Sequence, residues 1–383
     1  MEEKLRILLV YKTLLYDDFR VLNSLLASQV NVDKVIVVYP KNIEEQIFYF
    51  KNELKDIVDK LILIHDNFIK IGKYLIVNPV TLIKVFNLYK VNVVGIFDEL
   101  LSGNIFITSL VCILLPGSRR KLFFYQYENI NKNKGLFYNF LKRIIVFFAN
   151  IVFKYGLVCS KQAEDVVRKS GYKWKLKKVW WGVDIENFKK EISSEEIKNL
   201  KQKLGIKENQ KVIGYVGRFV EEKGIKDLVE AFRLINLDSV LIFIGDGPEK
   251  KYLEEIKDKI DKRIIILPPQ SHKNLPKYYK IMDVLVLPSK TTEFWKEQYG
   301  KVLIEAMASG VSVVGSNSGA IPEVIGNVGS IFPEGDIFKL KEAIEYELTH
   351  KTPEKVIKLK ERAELGSIEK FTKEILTFIL EGK

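Results

Sequence analysis

In the stretch "KTTEFWKEQYGKVLIEAMASG", Glu297 and Glu305 stand with seven residues between them, and Gly300 falls just past the first. If Gly300 opens a helix, the N–H groups of Tyr299, Gly300, Lys301 and Val302 point out of its N-terminus. Amides at that position lack acceptors within the helix, and the helix dipole favours negative charge beside them, so the arrangement suits an anion. Glu297 lies just before this terminus, and Glu305 lies between one and two turns in. A carboxylate there suits a pair of sugar hydroxyls, each bond being charge-assisted. The competing reading makes Glu297 a helix cap and Glu305 an exposed helix residue. Against it, "VLI" and "AMA" flank Glu305, and a carboxylate near a packed face needs a partner.

A second cationic loop lies upstream in "VIGYVGRFVEEKGIKDLVEAF". An apolar run ends at Gly217, and Arg218 and Lys223 project from the loop that follows. Arg offers a planar donor fork and Lys a point charge, which together suit a diphosphate. The alternative is a surface loop with solvated cations. "LIFIGDGPEKKYLEEI" and "DVLVLPS" repeat the strand-then-turn form, with Pro248 suited to a first helical position.

Elements of one kind position all these loops. Short β-rich runs alternate with helix-period segments. In the first half the runs span 5–11, 34–39, 60–65, 91–97, 121–127 and 157–160; in the second they span 211–216, 239–244, 263–267, 284–288 and 311–315. Such alternation predicts βαβ units and parallel sheets, and runs apolar on both faces predict strands covered by helices on both sides. The pattern restarts after a charged stretch, 186–210, which is a hinge candidate. The expected architecture is α/β, two doubly wound Rossmann-like domains facing across a cleft, with ligands at the carboxyl ends of the strands. The expected boundaries are 1–190, 191–366, and a C-terminal helix, 367–383, packing back on the first domain.

The chain has 383 residues, 47% apolar and 29% charged, with 17 Tyr and 23 Phe, a composition that excludes a disordered protein. Cys112 and Cys159 sit in apolar runs and predict buried thiols in a reducing compartment. The opening "MEEKLRILLVY" has no signal-peptide form, and runs such as "IIVFFANIVF" are too short to span a bilayer. The expectation is a cytoplasmic protein without a transmembrane helix. The net charge of +12 is concentrated: residues 119–178 hold 15 Lys and Arg against Glu128, Glu164 and Asp165, the whole formal excess. Such a region wants an anionic partner.

Taken together, "YVGRFVEEKGIKDLVEAF", "IGDGPEKKYLEEI", "YYKIMDVLVLPS", "EQYGKVLIE" and "ASGVSVVGSNSGAIPEVIG" resemble, in order and spacing, the retaining GT-B-fold glycosyltransferases of family 4, the glycosyl transferases group 1. "EQYGKVLIE" is similar to that family's Glu-x7-Glu motif. The resemblance covers residues 157–336 well and the first 120 poorly. It implies that Gly217, Arg218 and Lys223 hold a donor diphosphate and that Glu305 binds the ribose hydroxyls. It also implies that Glu297 contacts the transferred sugar near the reacting carbon. Tyr299, Gly300, Lys301 and Val302 would offer backbone donors to sugar and phosphate, with base contacts near Leu267 and Pro268. Arg218, Lys223 and Glu297 are thus the expected catalytic residues, and Glu128 and Asn129 in "FYQYENINK" the expected acceptor-side groups.

The first-domain loop "YKTLLYDDFRVL" departs from the family's Gly-rich form, and no obvious His serves as base; His65 ends a strand and reads as structural. The implied activity moves a hexose or N-acetylhexosamine from a UDP- or GDP-sugar to a glycan or lipid-linked acceptor, with retention and without a metal or other cofactor. The alternative is another sugar-nucleotide protein of the fold, an epimerase or hydrolase or a non-catalytic subunit. Residues 119–178 predict docking on an anionic membrane, peripheral on its cytoplasmic face. A nucleic-acid partner would suit that charge but leaves the second-half motifs without a purpose, so none is expected. Within the region, 136–155 is apolar around most of a helix, with Asn139, Lys142, Arg143, Asn150 and Lys154 gathered on one side.

Overall fold

The computed structural model describes residues 4–11, 16–28, 32–40, 60–71, 74–115, 120–130, 135–261 and 263–381. Residues 12–15 of the loop expected after the first strand, and Arg119, Lys132 and Lys134 of the basic region, lie outside the described residues, and 16–22 of that loop instead begin the helix Tyr16–Ala27. The chain divides into two compact units, Met1–Gly182 with Ile368–Lys383, and Val183–Ser367.

The first unit contains β1 (Leu5–Tyr11), β2 (Val32–Pro40), β3 (Leu61–Asp66), β4 (Ile69–Ile71), β5 (Tyr74–Ile76), β6 (Val93–Phe97), β7 (Lys121–Gln126), β8 (Tyr155–Val158) and β9 (Lys175–Lys178). Among the described residues seven strands form one sheet, β3-β2-β1-β6-β7-β8-β9, and every pair in it is parallel. β4 and β5 form a separate antiparallel hairpin. Val35, Ile36, Val37 and Val38 are each fully buried, as expected of a parallel strand covered on both faces. The helix Ile368–Glu381 belongs to this unit: Phe371 meets the Tyr125 ring edge-on at 5.5 Å, and Phe378 meets Tyr155 at 4.9 Å. Glu374 fixes its register by pairing with Lys177 at 2.8 Å and with Lys370 at 3.2 Å.

The second unit contains β10 (Lys211–Val216), β11 (Ser239–Ile244), β12 (Ile264–Leu267), β13 (Val284–Leu287), β14 (Ser312–Ser316) and β15 (Ser330–Phe332), ordered β12-β11-β10-β13-β14-β15 and all parallel. The strand order reverses between β10 and β13. In an open parallel sheet that reversal splays the flanking connections to opposite faces and leaves a crevice at the carboxyl ends of the two strands.

The expected strands are present, with ends shifted by a residue or two. Four short ones went unread. β4, β5 and β15 are three residues each, too short to show a period, and β9 reads "KLKK", whose lysines suit an exposed sheet edge. The stretch 186–210 holds two helices, Ile185–Lys189 and Ser194–Lys203, inside the second unit. The division runs between Gly182 and Val183 rather than at residue 190, and the cause is local. Val183 N–H donates to the Gly366 carbonyl at 2.8 Å, and Phe188 is buried edge-on against Tyr279 at 5.5 Å. Cys159 is buried as expected, whereas Cys112 is partly exposed; burial still pushes its thiol up to about 12.

The bond from Lys177, reinforced by Lys370, holds Glu374 below the usual carboxylate range. A depressed folded pKa stabilises above the unfolded value, and the contribution is lost as pH falls through the folded one. Glu374→Gln should therefore lower stability by about 0.2–1 kcal/mol at pH 7, the scale of a partly exposed pair. In thermal melts the gap to the native protein should close once the pH is below the ordinary carboxylate range.

Candidate functional site

The loops after β10 and β13 meet at the reversal point. β10 runs into Gly217 (φ 152°), the exposed Arg218, and a 3-10 turn, Glu221–Lys223. Tyr215 hydroxyl donates to the Arg218 carbonyl at 2.7 Å and so pins the start of that loop. Burial, then the Glu297 charge, holds this phenol well above its ordinary pKa, so it stays a donor. The β13 loop is brought alongside by Lys290 N–H, which donates to the Glu222 carbonyl at 2.8 Å.

Across this junction Lys223 Nζ bonds Glu297 Oε2 at 2.5 Å. The side chains are only 14% and 9% exposed, so the pair is shielded from bulk water. The Trp295 ring lies 4.8 Å from the ammonium and adds a cation–π contact. Ser289 hydroxyl also donates to Glu297 Oε2, at 2.9 Å. The Glu297 backbone is clamped from behind: Ala320 N–H donates to its carbonyl at 2.9 Å, and Gly319 packs so closely that a Cβ there would stand 1.9 Å from the same oxygen.

The helix Lys301–Ala308 starts at Gly300, whose left-handed backbone (φ 79°, ψ 51°) turns the chain into its first turn. Leu303 N–H reaches back to the Gly300 carbonyl at 2.9 Å. Tyr299 is nearly buried and Lys301 and Val302 are half-buried. Glu305 is buried at 6% exposure, and its Oε2 accepts from Tyr279 hydroxyl at 2.6 Å. The reading of Glu297 as a cap and Glu305 as a solvated residue is excluded, because Gly300 is the cap and both acids are buried.

Leu267 ends β12, and its carbonyl accepts from Gly245 N–H at 3.1 Å; Pro268 follows, exposed. Gly217, Arg218, Lys223, Leu267, Glu297, Gly300 and Glu305 thus all lie in one unit, at or beyond strand ends of one sheet. Glu128 and Asn129 belong to the first unit, in the segment after β7; Glu128 is half-buried and Asn129 buried. His65 is exposed in β3. Among the described residues no group of three or more His, Cys, Asp and Glu is arranged to hold a metal ion.

Three site residues escaped sequence reasoning. Ser289 follows a proline in a turn, where serine is commonplace, and its bond to Glu297 spans eight positions of irregular chain. Tyr279 is one of two adjacent tyrosines, and only helical phase turns it inward. Trp295 had no sequence signal at all.

The family model for glycosyl transferases group 1 matches residues 196–365. This stretch belongs to the glycosyl transferases group 1 family. Every second-unit site residue named above falls inside the family domain. Over 147 residues the chain is 35% identical to N-acetyl-alpha-D-glucosaminyl L-malate synthase of Bacillus anthracis, covering 37% of each protein. Over 139 residues it is 35% identical to alpha-monoglucosyldiacylglycerol synthase of Acholeplasma laidlawii, covering 35% of this chain and 34% of that one. The matches span about a third of the length of these curated relatives. The whole structure is similar to Anabaena Alr3699/HepE in complex with UDP, at TM-score 0.74 and 18% identity over 98% of this chain and 99% of that one. It is also similar to WaaG, a glycosyltransferase involved in lipopolysaccharide biosynthesis, at TM-score 0.64 and 16% identity over 98% and 100%. At such identities the likeness concerns the fold, and the fold is the GT-B class that the sequence led us to expect.

Gly319→Ala should disturb the backbone behind Glu297, because the new methyl group meets a carbonyl rather than a movable side chain. A loss of about 2–4 kcal/mol is expected in denaturant melts.

Proposed function

We propose that the protein is a retaining glycosyltransferase that moves a hexose or N-acetylhexosamine from a UDP- or GDP-sugar to a glycan or lipid-linked acceptor. The observation that carries this reading is the buried Lys223–Glu297 pair beside the start of the helix Lys301–Ala308, all at the reversal of strand order. An ammonium has three donors, so the bond to Glu297 leaves two for a diphosphate. Arg218, exposed on the same loop, closes on the phosphates, and the helix N-terminus adds its dipole. These groups act most strongly on the charge that builds on the leaving phosphate as the anomeric bond breaks. Glu297 stands by the transferred sugar and Glu305 takes the ribose hydroxyls. Retention follows if the acceptor attacks from the side the diphosphate leaves, with the departing phosphate oxygen accepting the acceptor's proton. Glu128 and Asn129 act on the acceptor.

The matched relatives support the donor class: the Anabaena protein was solved in complexes with UDP and UDP-glucose. The names of the Acholeplasma and WaaG relatives place those proteins in glycolipid and lipopolysaccharide synthesis. A lipid-linked acceptor here agrees with the surface of the first unit. The helix Leu136–Val152 turns its apolar side outward: Leu136 is 91% exposed, Phe137 74%, Phe140 59% and Phe147 62%. The expected polar stripe is partly tied down, since Asn150 bonds the Gly171 carbonyl and Lys154 lies 3.8 Å from the Trp174 ring. Exposed aromatics among cations suit the interface of an anionic bilayer better than water. No helix among the described residues is long and apolar enough to cross a membrane.

Arg218→Ala should weaken UDP or GDP binding about ten- to a hundred-fold in calorimetry, the scale of charge-assisted bonds. Unchanged affinity for both nucleotides would remove Arg218 from the phosphate site. Release of nucleoside diphosphate with sugar appearing on an acceptor separates a transferase from a hydrolase or a mere binder.

Liposomes containing phosphatidylglycerol should sediment the protein at low salt while phosphatidylcholine liposomes do not. Phe140→Ser with Phe147→Ser should weaken that binding at unchanged net charge. A protein that stays in the supernatant with both lipids has no membrane surface here.

A further inference from the structure

The two acids are buried alike, and each is held from behind by a hydroxyl that is more buried still. Ser289 is 0% exposed, and its single hydroxyl proton goes to Glu297 Oε2. Ser289 is itself fixed, because its carbonyl accepts from Ser316 hydroxyl at 2.5 Å. Ser316 and Ser318, also at 0%, continue this polar line, with Thr291 and Ser318 hydroxyls 3.0 Å apart. The line therefore runs from the end of β14 through the end of β13 to the carboxylate. Tyr279 is likewise 0% exposed and donates to Glu305 Oε2. Burial first, and the Glu305 charge second, hold its phenol well above the ordinary range, so it keeps its proton at neutral pH. The Phe188 ring, also fully buried, seals its edge at 5.5 Å.

A carboxylate with one oxygen fixed by a rigid donor has its remaining freedom, rotation about its own terminal torsion, largely removed. Its other oxygen is then aimed before any ligand arrives, and preorganisation of this kind lowers the reorganisation needed at the reacting centre. A lysine alone is a poor device for this, since the ammonium rotates on a four-carbon stem and is itself wanted by the diphosphate. A hydroxyl on a strand end or inside a packed helix has no such competing duty.

We propose that Ser289 and Tyr279 are positioning residues, Ser289 aiming Glu297 for the sugar-transfer step and Tyr279 aiming Glu305 for nucleotide binding. The proposal rests on the donor site described above, and it assigns the two hydroxyls separate kinetic consequences. Loss of the Ser289 hydroxyl loosens the acid at the reacting carbon, so it falls on kcat. Loss of the Tyr279 hydroxyl loosens the acid at the ribose, so it falls on donor affinity.

The test is steady-state release of nucleoside diphosphate from UDP-glucose, UDP-N-acetylglucosamine and GDP-mannose, using the donor the native enzyme consumes fastest, together with calorimetry of UDP and GDP. Ser289→Ala should lower kcat about tenfold or more with donor KM within twofold, and Ser289→Thr, which restores the hydroxyl, should recover most of it. Tyr279→Phe should raise donor KM and nucleotide Kd about tenfold with kcat within twofold. Thermal melts confirm that the variants are folded; if Ser289→Ala is not, Ser289→Cys, with a much weaker donor of similar size, takes its place and should show the same kcat loss. Glu297→Gln and Glu305→Gln are measured alongside. If these are impaired while Ser289→Ala and Tyr279→Phe match the native enzyme, the positioning roles are wrong and the donor site stands. If Ser289→Ala and Tyr279→Phe lose kcat and KM in the same proportion, both hydroxyls are merely structural and the proposal falls. If the native protein binds and consumes none of these compounds, or the two Gln variants are silent, the donor site itself is misassigned.

Discussion

The buried ion pair of Lys223 with Glu297 joins the loops after β10 and β13, where the order of the second sheet reverses. At that point the flanking segments leave toward opposite faces of the sheet, and the pair is backed by the Lys290 N–H bond to the Glu222 carbonyl and by the ion pair of Lys290 with Asp227 at 3.1 Å. Breaking such a pair from one side strands a charge in a poorly solvated place, at a cost of about 3–5 kcal/mol. The surrounding chain is arranged to make the pair possible. Gly224 ends the turn that carries Lys223 in a left-handed conformation (φ 68°), and a Cβ there would stand 2.0 Å from the Pro288 carbonyl. The Lys223 turn can therefore lie directly on the start of the Glu297 loop. Gly319 allows the same intimacy on the far side of Glu297.

The proposed function asks a doubly wound sheet to hold a sugar nucleotide. In the function proposed, the concentrated positive charge that a diphosphate needs comes from Arg218, Lys223 and a helix N-terminus, near two adjacent strand ends. In the same proposal, the hydroxyl acceptors that a sugar and a ribose need are the two acids, on either side of Gly300. Because both carboxylates are buried, each needs its own donors, and the fold provides a hydroxyl for each, from Ser289 just past β13 and from Tyr279 in the helix Leu275–Ile281. Charge for the phosphates and fixed acceptors for the hydroxyls thus come from one compact region of a single unit.

The first unit has a different physical character. Its sheet is closed by aromatic packing, with Tyr11 stacked on Phe97 at 4.4 Å and Tyr125 and Trp181 meeting at 5.0 Å. The helix Ile368–Glu381 returns from the end of the chain to complete that core through Phe371 and Phe378. On the outside, the helix Leu136–Val152 exposes large apolar side chains, which water alone does not favour. The family domain, by contrast, lies in the second unit, around the Lys223–Glu297 pair.

Much of this was legible in the chain itself. Strand positions, the parallel sheets and the helix start at Gly300 follow from local periodicity and from glycine placement, which depend only on neighbouring residues. The spacing of Glu297 and Glu305 and the cationic loop after Gly217 were equally plain, as was the family they resemble. Other features needed the folded molecule. Lys223 and Glu297 are 74 positions apart, and nothing in either segment names the other as partner. The roles of Ser289 and Tyr279 as donors depend on which way a turn and a helix face once packed. The outward face of Leu136–Val152 is another such feature: an apolar helix flanked by lysines reads the same whether its greasy side meets a core or the solvent. Periodicity and turn chemistry are properties of sequence, whereas burial, partner choice and the direction a side chain faces are properties of contacts between distant segments, and those only the tertiary structure decides.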